Sequence, residues 1–189
     1  MTVFRLKATL KDIKPPIWRR IEVSGATTLK QLHRILQIAF GWQDYHLHEF
    51  IAGKLRFGVS DPDDFGRQVI PERSVRISEL LAAPGQKLQY LYDFGDGWKH
   101  EVLLESTLAP ENGVEYPRVV DGARSGPPED CGGSYGYTEL LEILADEAHE
   151  RFEEMQEWAG QDFNPEEFSR DAVNSRLRRN RSLTVKAES

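Results

Sequence analysis

"KLQYLYDFGDGWKHEVLLES", residues 87–106, sets two runs of strand-forming residues on either side of two glycines and two aspartates. Runs rich in aromatic and aliphatic residues, punctuated by Gly and Asp, read as the two arms of a β-hairpin. Taking "FGDG" as a four-residue connection, or "GD" as a two-residue one, places Asp93 opposite Trp98 and Leu91 opposite His100. One face then carries Leu91, Asp93, Trp98, His100, Val102 and Leu104. The other carries Tyr90, Tyr92, Lys99, Glu101 and Glu105. Asp93 and His100 become diagonal neighbours on a mainly apolar face, within side-chain reach. A three-residue loop would break this arrangement, since a one-residue slip reverses facing. Such a pair is either a buried hydrogen bond fixing the hairpin end or a carboxylate orienting a catalytic or metal-binding imidazole.

Outward from this hairpin, the same alternation recurs. "VFRLKATL" (3–10) puts Phe4, Leu6, Ala8 and Leu10 on one parity, and Ile17, Arg19, Ile21 and Val23 follow the Pro15–Pro16 break, so a first hairpin is expected. "TTLKQLHRILQIAFGW" (27–42) is the clearest helix. Thr28 and Gln31 fit a capping box, Leu29, Leu32, Ile35, Leu36, Ala39 and Phe40 form one stripe, and Gly41 ends it. His33 beside that stripe reads as a structural histidine. "YHLHEFIAGKLRFGV" (45–59) reads as two short strands around Gly53–Lys54, followed by an acidic loop over 60–74 and a short helix capped by Ser74 or Ser78. Residues 109–133 read as one long irregular connection, a candidate for function. "YTELLEILADEAHERFEEMQEWAG" (137–160) reads as one helix, and "NPEEF" as the start of another, with Asn164 as its cap. Hairpins dominate, and no strand–helix–strand alternation recurs. The expected class is α+β, with antiparallel hairpins forming a barrel- or roll-like sheet packed with helices, and acidic C-terminal helices.

The chain has 189 residues, of which 39% are apolar and 29% charged, suiting one domain over 1–179 and a loose tail over 180–189. No apolar run approaches the ~18 residues of a membrane span, and "MTVFRLKATLKD" has no apolar signal core. The single cysteine, Cys131, excludes an internal disulfide and a CxxC metal or redox site. A cytoplasmic protein is expected. The net charge of −7 conceals +6 over residues 1–57, −7 over 58–137, −10 over 138–167 and +4 over 168–189. Overall acidity argues against nucleic acid as the dominant partner, although the first segment is basic.

Three further stretches carry candidate chemistry. His46 and His48 stand two apart in "YHLHEF"; on a strand that spacing gives both imidazoles one face, as a shared metal requires. "PPEDCGG" sets Glu129 and Asp130 between stiffening prolines and permissive glycines. In the first hairpin Lys11, Lys14, Arg19 and Arg20 accompany Trp18, a combination able to grip phosphates and stack a base. Surface pairs, acidic turns and packed tryptophans are the ordinary explanations of each.

Together these blocks resemble the plasmid pRiA4b ORF-3-like family. The likeness rests on "LKDIKPPIWRRIEV", "TLKQLHRILQIAFGWQDYHLHEF", "YLYDFGDGWKHEV", "GPPEDCGGSYGY" and "FNPEEF", and spans roughly residues 3 to 177. It implies an α+β fold of barrel or roll type and a link to plasmids and mobile elements, with no biochemical activity attached. The expected site lies between the three central blocks: Tyr45, His46, His48, Asp93, Asp96, Trp98, His100, Glu129 and Asp130. Three functions compete. The first is a non-enzymatic binding or adaptor module for a protein or peptide, favoured because no HExxH, GxSxG or P-loop occurs. The second is a hydrolase or nuclease using a divalent metal on His46, His48 and His100 with nearby carboxylates. The third is nucleic-acid binding through Lys14, Trp18, Arg19 and Arg20.

Overall fold

A computed structural model describes residues 1–59 and 69–187. Residues 60–68, most of the expected acidic loop, lie outside the described residues.

The two hairpins form as expected. β1 (Val3–Leu10) and β2 (Trp18–Ser24) pair antiparallel with Leu6 opposite Ile21, and Phe4, Leu6, Ala8 and Leu10 are buried. β6 (Lys87–Tyr92) and β7 (Trp98–Leu108) form the central pair, and β7 also pairs with β1. α1 (Leu29–Phe40) begins where Thr28 accepts from the Gln31 N–H at 3.3 Å while the Gln31 side chain accepts from the Thr28 N–H at 2.9 Å. It ends at Gly41 in the left-handed region. Its whole predicted stripe is buried, and His33, Gln37 and Phe40 contact Tyr90 and His100, so it lies on that face of β6–β7. β3 (His48–Ala52) and β4 (Leu55–Gly58) turn at Gly53–Lys54 as the sequence suggests.

The sheet is antiparallel in all its pairings but one, as expected, but it is not closed into a barrel. Its order is β5-β4-β3-β6-β7-β1-β2-β9, open at both ends, and β5 (Ile70–Pro71) runs parallel to β4. β9 (Arg118–Ala123) is the far edge. There the Asn174 side chain accepts from the Val119 N–H at 2.7 Å and donates to its carbonyl at 2.8 Å. A helix side chain thus satisfies backbone that a closing strand would have taken, one of the ways proteins protect an edge. β9 and β8 (Glu115–Tyr116) lie inside the stretch read as irregular; Pro117 between them hides the strand pattern. Across β1, β2 and β9 the buried Glu22 accepts from Arg5 at 2.7 Å and from Arg118 at 2.6 Å.

The C-terminal helices also differ from expectation. The single helix over 137–160 is two, α3 (Gly133–Leu144) and α4 (Phe152–Ala159). Asp146 accepts from the Ala148 N–H at 3.0 Å and His149 Nδ1 from the Arg151 N–H at 3.1 Å, so side chains take over backbone donors and break the helix. Asn164 caps a turn at Glu166 rather than a helix. α5 (Arg170–Arg179) begins later, at Ser169. The one-turn α2 (Ile77–Leu80) starts after Arg76, whose N–H donates to Glu79, so neither Ser74 nor Ser78 caps it. Beyond α5, where a loose tail is expected, β10 (Val185–Lys186) pairs with β8, and Leu183 and Ala187 are buried. No helix among the described residues is long and apolar enough to cross a membrane.

Candidate functional site

The central hairpin turns through five residues, Asp93 to Gly97, and pairs Tyr92 with Trp98 and Tyr90 with His100. The expected register is therefore wrong by one, and the face assignment of the first arm reverses: Tyr90 and Tyr92, not Leu91 and Asp93, join Trp98, His100, Val102 and Leu104 in the core. The fifth loop residue is Asp93 itself, in the left-handed region at φ 55°. Its carbonyl accepts from the Gly97 N–H at 2.7 Å, and its Oδ1 accepts from the Gly95 N–H at 2.8 Å. This local turn holds Asp93 off the face carrying His100.

His100 instead sits fully buried, its ring edge against Phe40 and Trp42. Burial pulls its pKa down to about 3, with a smaller push from Arg19. Its Nδ1 is 3.2 Å from the Trp98 carbonyl, and its Nε2 has no hydrogen-bond partner. Trp98 is buried too, its indole N–H unpartnered and its ring against Tyr137.

The two histidines of "YHLHEF" separate. His48 begins β3, whereas His46 precedes it in a bend, so they do not share a strand face. The expected set His46, His48 and His100 does not converge. His48 stacks on His33, ring centroids 3.4 Å apart and planes within 3°. His33, set aside as structural from sequence, is thus part of a polar cluster. Its Nε2 is 2.7 Å from Asp44 Oδ1, its Nδ1 2.8 Å from the Tyr90 hydroxyl, and His48 Nε2 is 2.8 Å from Glu72 Oε2. Carboxylates only accept, so both Nε2 atoms donate. His33 Nδ1 then accepts from Tyr90, whose oxygen accepts from Gln37. Burial and then His48 pull the His33 pKa down to about 4, against an opposing pull from Asp44.

The three predicted segments do meet, at His46. Its Nε2 lies 3.0 Å from Asp130 Oδ1 and 3.7 Å from Asp93 Oδ2. That nitrogen is buried and makes no directional hydrogen bond despite the short approach. Glu129 fixes the loop beside it, accepting from the Tyr92 hydroxyl at 2.9 Å and from the Gln43 N–H at 2.8 Å. Burial first and Glu129 next raise the Tyr92 pKa. Asp96 accepts from the Gly132 N–H at 3.2 Å, joining the hairpin tip to the start of α3. Tyr45 stays outside this set, exposed, with its hydroxyl donating to Gln43. Burial, followed by Asp96, pushes the Cys131 thiol up to about 12.

The basic first hairpin is differently employed than its sequence suggests. Arg19 is only 2% exposed, and donates to the carbonyls of Ala39 at 2.7 Å, Trp18 at 2.8 Å and Ala123 at 2.9 Å. Its guanidinium lies between the Phe40 and Phe168 rings. Arg20 is paired with Glu105 and Asp121, and Lys7 and Arg20 cover Trp18. Lys11 and Lys14 remain exposed. Arg19 also lines a groove of about 530 Å³ between the 125–129 loop, the end of α1 and α4–α5, a feature sequence reasoning missed. Phe40, Trp158, Phe163 and Phe168 give it aromatic walls, and Arg176 stands at it as a second cation. Arg19 lies more than 100 residues from the 125–129 loop and the α4–α5 helices that complete the groove, and no local pattern marks its parts.

An open mixed sheet carrying α1 on one face, with histidine–carboxylate clusters at one end of its central hairpin, defines an α+β domain without a recognisable catalytic motif. Residues 2–172 match the plasmid pRiA4b ORF-3-like protein family, and the chain belongs to it. The uncharacterised protein y4hQ of Sinorhizobium fredii (strain NBRC 101917 / NGR234) is 42% identical over 160 residues, covering 84% of this chain and 81% of y4hQ. The crystal structure of MM3350 from Methanosarcina mazei Go1, a protein of unknown function, superposes with a TM-score of 0.82 at 38% identity. That match covers 90% of this chain and 96% of MM3350.

Proposed function

We propose that the protein is a non-enzymatic binding module whose groove takes an acidic peptide segment with apolar side chains beside its carboxylates. The observation that carries this reading is Arg19. Its guanidinium is buried, its hydrogen bonds go to the Ala39, Trp18 and Ala123 carbonyls, and no carboxylate pairs with it among the described residues. Burial, and Arg176 beside it, pull its pKa down to about 10, so it is still charged at neutral pH. A buried charge without a counter-ion is costly, and a ligand carboxylate in the groove offsets that cost. Arg176 has no ion-pair partner among the described residues and adds to the same field. Glu129 and Glu167 also line the groove; Glu129 is already engaged by Tyr92 and Gln43. The aromatic walls supply apolar contact, and aromatic and Arg anchors are the residue types that dominate binding energies.

Fluorescence anisotropy of dye-labelled hexapeptides alternating Glu with Leu or Phe tests this, with Lys-for-Glu peptides as controls. Trp158, about half exposed at the groove, reports binding through its own emission. The acidic peptides are expected to bind and the basic ones not, with Arg176→Glu weakening binding at least 10-fold. Equal binding of both sets, or indifference to Arg176→Glu, would overturn the reading.

A further inference from the structure

We infer that His46, Asp93 and Asp130 form a site for one divalent transition-metal ion, distinct from the groove. Ligand atoms from three distant segments lie within 4.8 Å of one another. The 3.0 Å from His46 Nε2 to Asp130 Oδ1 and the 3.7 Å to Asp93 Oδ2 suit a shared ion. With metal–ligand bonds of about 2.0–2.2 Å, neighbouring ligands in an octahedral or tetrahedral shell stand roughly 3.0–3.5 Å apart. A small contraction at Asp93 closes the set.

Two observations separate this site from a chance cluster of acids. His46 Nε2 is buried within a side chain that is 28% exposed, and it makes no directional hydrogen bond to either carboxylate although Asp130 stands 3.0 Å away; a poorly aligned contact of this kind recovers less than a full hydrogen bond. A cation placed between the three groups engages that nitrogen directly. Asp93, whose side chain is 9% exposed, is also pre-aimed: the Gly95 N–H holds Oδ1 at 2.8 Å and leaves Oδ2 towards His46. Both carboxylates sit on left-handed backbone, φ 55° at Asp93 and 57° at Asp130. Glycine adopts that conformation more cheaply than aspartate.

The other histidine cluster does not compete. The His33 and His48 rings are parallel, within 3°. An imidazole lone pair lies in its ring plane, so two stacked rings cannot aim at one ion. Each Nε2 there is already spent on a carboxylate. At His46, one imidazole and two carboxylates suit Mn²⁺ or Zn²⁺ better than the all-oxygen preference of Mg²⁺ or Ca²⁺. Asp130, 68% exposed, faces solvent and leaves the remaining positions open to water or a ligand oxygen.

The test is isothermal titration of EDTA-treated, tag-free protein with Zn²⁺ and with Mn²⁺ separately. One ion per chain is expected for at least one of them, with affinity falling at least 10-fold in His46→Ala and in Asp130→Gly. Asp130→Gly suits the backbone as well as or better than aspartate, so its loss of metal cannot be blamed on unfolding. Arg176→Glu is expected to bind metal as the unaltered protein does. No stoichiometric binding of either ion, or binding that survives both site substitutions, would overturn the inference.

Discussion

His100 makes the protein's response to mild acid calculable. Its ring is fully buried and its pKa falls from 6.5 to about 3, chiefly through burial. A depressed imidazole pKa means the unfolded chain takes up the proton first. Stability is complete above pH 6.5 and is lost as pH falls from there towards the folded pKa. Between pH 7.5 and 5 the unfolded imidazole goes from about one-tenth to nearly fully protonated while the folded one stays neutral. One such histidine then removes about 2 kcal/mol. His33, with a pKa of about 4, removes a similar amount over the same window, about 4 kcal/mol in all. That is a large share of the 5–15 kcal/mol typical of a domain. His100→Phe removes one of the two groups and also the unpartnered Nε2. Urea unfolding followed by tryptophan emission at pH 7.5, 6.25 and 5.0 measures the losses. The unaltered protein should lose about 2 kcal/mol more than His100→Phe across that range, whatever their relative stability at pH 7.5. Parallel losses, differing by less than about 0.5 kcal/mol, would refute the assignment of a buried neutral His100.

Three other substitutions and one reagent probe the packing. A Cβ at Gly126 would stand 2.0 Å from the Phe40 carbonyl oxygen, so Gly126→Ala should cost about 2–3 kcal/mol in urea unfolding. Gly41→Ala, at φ 91° but with open space, should cost only about 1 kcal/mol. Glu22→Gln leaves Arg5 and Arg118 without their buried carboxylate, and the unfolding midpoint should drop by the equivalent of about 3 kcal/mol. Cys131, its thiol pushed up to about 12, should react with a disulfide reagent at pH 8 at least 10-fold more slowly than the urea-unfolded chain.

Local patterns made much of the fold legible. The stripe of α1, its Thr28–Gln31 box and its Gly41 stop are all interactions within a few residues, and all are present. The same holds for the β1–β2 and β3–β4 hairpins. What escaped was set by distant partners. β9 takes its place through β2 and Asn174, and the helix break after Leu144 depends on how Asp146 and His149 spend their side chains. The convergence of the "YHLHEF", "DFGDGW" and "PPED" segments was legible as an expectation, but its membership was not. A one-residue difference in loop length moved Asp93 from His100 to His46.

That difference exposes a regularity beyond any single contact. Among the described residues, five other than glycine have positive φ: Asp12, Asp44, Asp93, Arg124 and Asp130. Three of them are the carboxylates that face histidines, Asp44 at His33 and Asp93 with Asp130 at His46. Aspartate tolerates the left-handed region better than most residues, but glycine does so with no Cβ penalty. At Asp44 the carboxylate has a structural use, as the acceptor of a buried imidazole N–H. At His46 the Nε2 stands 3.0 Å from Asp130 and 3.7 Å from Asp93 without a directional hydrogen bond to either. Two acids there share one imidazole nitrogen, which can offset their mutual repulsion only in part. A cation turns the same arrangement into a more favourable one, so the proposed metal site lies at His46 and not at the better-packed pair of His33 and His48.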